Sequence, residues 1–198
     1  MLDFEEKKRT LDRSEVLSFF WEVIKIIVVA LVIIIPVRYY LFQPFFVKGA
    51  SMEPTFNDGD YVLIDELSYN FRDLKRGEVI IFRAPPDHSQ FYIKRVIGLP
   101  SEQIEVKDNK ILIFNKQNPQ GFILDESGYL DSSVLTLGDL KEKLGEHEYF
   151  VLGDNRLHSS DSRSWGIVDK NLVTGRVLLR AWPLDQITKF KPTVYPVN

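Results

Sequence analysis

The run from Val16 to Val37 limits this chain more than any other part of it. It is apolar except for Ser18, Glu22 and Lys25, and Ile26 to Val37 carries no polar side chain. A bilayer core about 30 Å thick needs roughly 20 helical residues, and this run supplies them. A helix apolar on every side has no face for water, so it is either buried in protein or set in lipid. A buried core helix is one alternative. A cleavable leader is another, because such a segment also joins basic residues to an apolar core. A leader needs a small-x-small site after that core, and Pro36-Val37-Arg38-Tyr39-Tyr40 has none. The sequence therefore predicts a permanent transmembrane anchor over residues 16–40. Glu22 and Lys25, at i and i+3, are expected to pair and reach the near interface. Arg38, Tyr39 and Tyr40 mark the far one. Asp12 with Glu15 reads as a helix-start pattern. Lys7, Lys8, Arg9 and Arg13 precede the span, so by the positive-inside rule residues 1–15 are a cytoplasmic tail and the chain beyond the span is extracytoplasmic.

After the anchor, the pattern changes from continuous apolarity to short β-branched and aromatic runs between turn residues. Gln43–Val47 reads as extended chain, followed by the turn Asn57-Asp58-Gly59-Asp60. Strands are predicted over Tyr61–Asp65, Glu78–Phe82, Phe91–Ile97, Glu148–Leu152 and Arg176–Arg180. Ile104–Val106 and Ile111–Phe114 flank Asp108-Asn109 as a hairpin. Leu137–Leu144 takes no assignment. The fold class is mainly β: one N-terminal transmembrane helix, then an antiparallel β-sheet domain over 41–198 with a small inserted subdomain at 101–147.

Charge and composition exclude several chemistries. Lys plus Arg total 25 against 28 Asp plus Glu, a net charge of -3. That balance shows no basic excess for nucleic acid. The absence of cysteine removes disulfides, thiolate metal sites and a cysteine nucleophile. His88, His147 and His158 match no zinc spacing. No metal and no cofactor is expected.

Three polar stretches carry the chemistry: Gly49-Ala50-Ser51-Met52-Glu53-Pro54-Thr55, Tyr92 to Pro100 with Lys94 and Arg95, and Gly153-Asp154-Asn155-Arg156 through Ser159, Asp161, Arg163 and Gly166. A serine hydroxyl needs a base within hydrogen-bond reach to act as a nucleophile. A lysine amine serves only when neutral, and burial lowers its pKa toward the 7–8 of tuned catalytic lysines. Lys94 stands on a strand-like run with bulky neighbours. Taken singly, Ser51 reads as a turn serine, Lys94 as a strand lysine reaching solvent, and Asp161 with Arg163 as a surface ion pair worth about 0–1 kcal/mol.

Together, Ser51-Met52-Glu53-Pro54-Thr55, Gly59-Asp60-Tyr61-Val62, Lys94-Arg95-Val96-Ile97-Gly98-Leu99-Pro100 and Gly153-Asp154-Asn155-Arg156-x-x-Ser159-x-Asp161-Ser162-Arg163-x-Trp165-Gly166 stand in the order and form of one family. The chain resembles the bacterial type I signal peptidases, from the membrane span to about Pro183. The resemblance implies a membrane-anchored serine endopeptidase that removes signal peptides from secretory preproteins at small-x-small sites. It implies Ser51 as acylating nucleophile and Lys94 as general base. Ser159 would hydrogen-bond the lysine amine, Asp161 and Arg163 would form a supporting ion pair, and Asp154 and Asn155 would shape the same loop. The Ser51 N–H would be one oxyanion donor. Phe45–Lys48 and Gln90–Ile93 would flank an extended substrate, with Phe45, Val47 and Ile93 lining its small pockets. The partners implied are the preprotein and the lipid bilayer.

The sequence departs from the family pattern in three places. Gly49 stands where some members carry a serine as second oxyanion donor. Ser101-Glu102 follows Gly98-Leu99-Pro100 in place of the usual Gly-Asp. Leu157-His158 follows Arg156, and His158 offers a rival base. Other functions set against this reading are a self-cleaving repressor with the same dyad, a membrane peptidase with a few dedicated substrates such as a pilin or a spore-coat protein, and an anchored β-domain that binds partners through edge strands. The first would carry a DNA-binding module, and no helix-turn-helix pattern is present.

Overall fold

The computed structural model describes residues 13–40, 43–67, 71–190 and 195. The chain divides into two compact units, Met1–Tyr40 and Leu41–Asn198.

The first unit is helix α1, Arg13–Tyr40. Within it Val16–Ile34 has a mean hydropathy of 2.5, and none of that window is buried in protein. Leu17, Phe19, Ile26 and Val32 are all more than half exposed. Such a surface has its free-energy minimum in an apolar medium. Among the described residues, Glu22 and Lys25 form no ion pair. The Lys25 ammonium instead lies 5.8 Å from the centre of the Trp21 ring, a cation–π contact one helical turn away. The expected Asp12–Glu15 cap and most of the basic tail lie outside the described residues.

The second unit is built on antiparallel strands. The main sheet contains β1 (Gln43–Phe46), β2 (Tyr61–Asp65), β3 (Val79–Ala84), β4 (Asp87–Gly98), β9 (Glu148–Leu152), β10 (Val168–Asp169) and β11 (Val173–Trp182). Their order is β1-β2-β11-β3-β4-β9-β10, and β12 (Thr188–Lys189) pairs with β11. The last long strand thus returns to the middle of the sheet, between β2 and β3. A smaller sheet has the order β7-β6-β5-β8, from β5 (Gln103–Lys107), β6 (Lys110–Phe114), β7 (Phe122–Ile123) and β8 (Leu140–Lys143). The β5–β6 hairpin turns at Asp108 and Asn109, both with positive φ (50° and 59°), as a two-residue hairpin loop requires. The unassigned 137–144 stretch contains strand β8, not a helix. Its Lys141, Glu142 and Lys143 are exposed, and it joins the sheet through backbone pairing with β5.

The smaller sheet packs onto the main one. Ile104, Val106, Ile111 and Ile113 share one core with Ile97, Phe150 and Leu152. A second core, Val47, Met52, Phe56, Val62, Ile64, Ile81 and Ile93 among others, lies under the Ser51 turn. Alternation produces both: Val62 and Ile64 on β2, like Ile104 and Val106 on β5, point the same way and are wholly buried.

Candidate active site

Ser51 sits on a turn fastened from below. Met52 and Phe56 are fully buried, and the Phe56 N–H donates to the Met52 carbonyl at 2.9 Å. The ends of the loop are closed by Val47 N–H to Asp60 O at 2.8 Å and Gly59 N–H to Val47 O at 2.9 Å. Gly49 has φ +84°, a conformation that favours glycine. Its N–H donates to Asp58 Oδ1 at 2.7 Å. A serine at this φ would be strained. Among the described residues the Ser51 N–H has no acceptor within the chain.

Lys94 comes to Ser51 from the inner half of β4. Its Nζ lies 2.7 Å from Ser51 Oγ and donates to the Ile93 carbonyl at 2.9 Å. Lys94 is only 4% exposed. Burial lowers its amine from the usual lysine range to about 8, against the opposing pull of the Asp161 and Asp154 carboxylates. A sizeable fraction is therefore neutral near physiological pH, the form that can accept a proton. His158 is exposed, and the side chain within hydrogen-bond reach of Ser51 Oγ is Lys94.

The third stretch holds the Ser51 turn from the other side. Asn155 N–H donates to the Ser51 carbonyl at 3.1 Å, and Asn155 Nδ2 to the Ala50 carbonyl at 3.1 Å. Asp161 and Arg163 form a two-pronged pair, with both Nε–Oδ1 and Nη2–Oδ2 at 2.9 Å. The Asp161 side chain is wholly buried, so this is no surface pair. Asp161 Oδ2 also accepts the Gly153 N–H at 3.1 Å. Gly153 is a point of close approach: a Cβ there would overlap Ser159 Oγ and the Ser51 carbonyl.

Ser159 departs from expectation. Among the described residues its buried Oγ has no hydrogen-bond partner, Lys94 included. The lysine amine already has Ser51 Oγ and the Ile93 carbonyl, while Ser159 packs against Gly153 behind the turn.

One open cleft of about 610 Å³ runs along this site. Phe45, Val47 and Ile93 line it, together with Ser51, Lys94, Ile81, Phe91, Tyr92 and Ser160. Val47 and Ile93 are nearly buried, and Phe45 stacks edge-on against Phe91 with centroids 5.3 Å apart.

Sequence reasoning missed the partner of Asp154. Arg95 Nε donates to Asp154 Oδ1 at 2.8 Å, Arg95 Nη1 to the Gly77 carbonyl at 2.9 Å, and Thr55 Oγ1 to Asp154 Oδ2. Both side chains of the pair are at most 5% exposed. The signal was a second cation directly after Lys94 on a run with no adjacent acid. A buried guanidinium needs a carboxylate, and Asp154 is one that the motifs supply.

Comparison with known proteins places the chain in a family. Residues 20–182 match the family model described as signal peptidase, peptidase S26. Signal peptidase IB of Staphylococcus aureus is 32% identical over 182 residues, 87% of this chain and 93% of that one. Signal peptidase I of Bacillus amyloliquefaciens is 32% identical over 189 residues, 94% of this chain and 98% of that one. A crystal structure of a signal peptidase I from Enterococcus faecalis V583 is 30% identical, with a TM-score of 0.43 over 53% of this chain and 97% of that one. A match of this extent, to both the family model and its full-length relatives, makes the chain a member of the signal peptidase family, peptidase S26.

Proposed function

We propose that this protein is a membrane-anchored serine endopeptidase that removes signal peptides from secretory preproteins, with Ser51 as nucleophile and Lys94 as general base. The observation that carries the reading is the 2.7 Å approach of a buried amine to the Ser51 hydroxyl. In its neutral form Lys94 takes the Ser51 proton as Oγ attacks the scissile carbonyl. The unengaged Ser51 N–H faces the developing oxyanion. The resulting ammonium returns its proton to the departing amine, leaving an acyl-enzyme on Ser51. A water deprotonated by the same amine then releases the signal peptide.

Specificity follows from the cleft. An extended substrate adds as a strand between β1, continued to Lys48, and the Gln90–Ile93 part of β4. Phe45, Val47, Ile81 and Ile93 leave shallow apolar pockets that suit small side chains at alternate positions. Asp161, Arg163, Asp154 and Asn155 hold the loop that backs Ser51. Helix α1 serves as the anchor over residues 16–40, with the tail 1–15 cytoplasmic and 41–198 extracytoplasmic, its 101–147 segment an inserted subdomain.

The test uses full-length protein in detergent and a preprotein substrate. Ser51→Ala is expected to abolish acyl-enzyme formation, and Lys94→Ala to lower cleavage by about 10²–10⁴-fold. Cleavage by both variants at the wild-type rate would refute the assignment.

A further inference from the structure

We infer that Glu126, carried on the inserted segment, is a positioning residue for catalysis: it holds Arg156, and through Arg156 the Gly153 carbonyl behind Ser51. The inference rests on the Ser51–Lys94 reading above.

The Arg156 guanidinium is fully excluded from water, and a buried cation needs an acid. The acid comes from outside the loop. Arg156 Nη1 donates to Glu126 Oε2 at 2.8 Å, and Nη2 donates to Oε1. Nη1 also reaches Thr136 Oγ1, and Nε donates to the Gly153 carbonyl at 2.9 Å. One guanidinium thus joins two points of the insert to the start of the catalytic loop. Arg163 adds a second stitch, from Nη2 to the Arg156 carbonyl at 2.7 Å and from Nη1 to the Leu137 carbonyl at 3.2 Å.

Glu126 also organises the neighbouring arginine. Tyr129 O–H donates to Glu126 Oε1. Burial and the Glu126 carboxylate keep this phenol well above its usual range, so it remains a donor. The Arg95 guanidinium lies 3.9 Å from the Tyr129 ring centre and grips Asp154. Gly153 and Asp154 are therefore each tied to the Glu126–Tyr129 turn through a separate arginine. Gly153 packs closely enough on Ser51 and Ser159 that a Cβ there would overlap both. A shift of its carbonyl is passed to the Ser51 turn, and a displacement of about 1 Å at a reacting group costs about 10²-fold in rate.

A merely structural ion pair would change stability and leave the kinetics of folded enzyme alone. The test therefore measures thermal unfolding, kcat and KM of the full chain in detergent with a preprotein substrate. Glu126→Gln keeps the shape and removes the charge. We expect kcat to fall about 10- to 100-fold, with KM within about twofold because the β1–β4 cleft is untouched. Glu126→Asp is expected to recover part of the loss. Glu105→Gln, which alters a partly exposed pair of the same insert with Lys141 at 3.7 Å, is expected to match wild type. Ser51→Ala separates the two readings: if it still cleaves, the active-site assignment fails whatever Glu126 does. If Ser51→Ala is dead and folded Glu126→Gln has wild-type kcat, the positioning role is overturned alone. Should Glu126→Gln not fold, Glu126→Leu with Arg156→Met replaces the pair by apolar groups. Folded protein with the same loss of kcat supports the role, and wild-type kcat overturns it.

Discussion

Lys94 is costly to bury as a cation and useful only when it is not one. Desolvation favours the neutral amine, and Ser51 Oγ and the Ile93 carbonyl lie within hydrogen-bond reach of Nζ. Its approach to Ser51 was legible because serine and lysine recur in fixed local contexts; the Ile93 carbonyl was not. The separation of Ser159 from the amine was not legible either, because a hydroxyl's partner depends on tenths of an ångström that no motif records. Ser101 shows the opposite outcome. The usual glycine is missing there, yet Ser101 adopts φ 65°, and Glu102 holds the turn by accepting the Leu99 N–H at 2.9 Å and pairing with Arg76 at 2.6 Å. A non-glycine residue in the left-handed region costs about 1 kcal/mol. Ser101→Gly is therefore expected to raise unfolding stability by up to about 1 kcal/mol in chemical denaturation, with cleavage unchanged.

Elements with clean alternation or strong turns were readable, while pairings distant in sequence were not. The β5–β6 hairpin follows from Asp108-Asn109, and β4 from its β-branched inner half. Strand β8 was hidden because Lys141, Glu142 and Lys143 carry no apolar period and join the sheet through backbone pairing with β5. The Arg95–Asp154 pair was hidden for a different reason: its members come from β4 and from the loop after β9. That pair makes the catalytic loop depend on β4 as much as the dyad does. Breaking a buried pair leaves an uncompensated charge, at about 3–5 kcal/mol. Arg95→Met, which strands the Asp154 carboxylate, is expected to cost that much in a denaturation experiment. A loss below about 1 kcal/mol would show that Asp154 finds solvent or another donor.

At the scale of the whole molecule hydropathy separates, among the described residues, the long apolar helix α1 from the β unit Leu41–Asn198. The return of β11 to the sheet centre was not legible, since nothing local in Val173–Trp182 names its neighbours. The anchor's proposed role is to keep the catalytic unit at the bilayer where cleavage sites emerge, raising their effective concentration. A protein lacking residues 1–40 should cleave a soluble peptide at close to the full-length rate. On a preprotein held in lipid vesicles it should fall behind by about 10²-fold, and equal rates on both substrates would remove that role. The account as a whole stands on Lys94 acting as the base. The most direct measurement is the rate of Ser51 acylation in single turnover as pH is varied. Since the protonated amine cannot accept the serine proton, the rate should climb about tenfold per pH unit from the acid side and level off with a midpoint at about 8, and this limb should vanish in Lys94→Ala. A midpoint near that of histidine, about 6.5, or a limb that persists without Lys94, would contradict it.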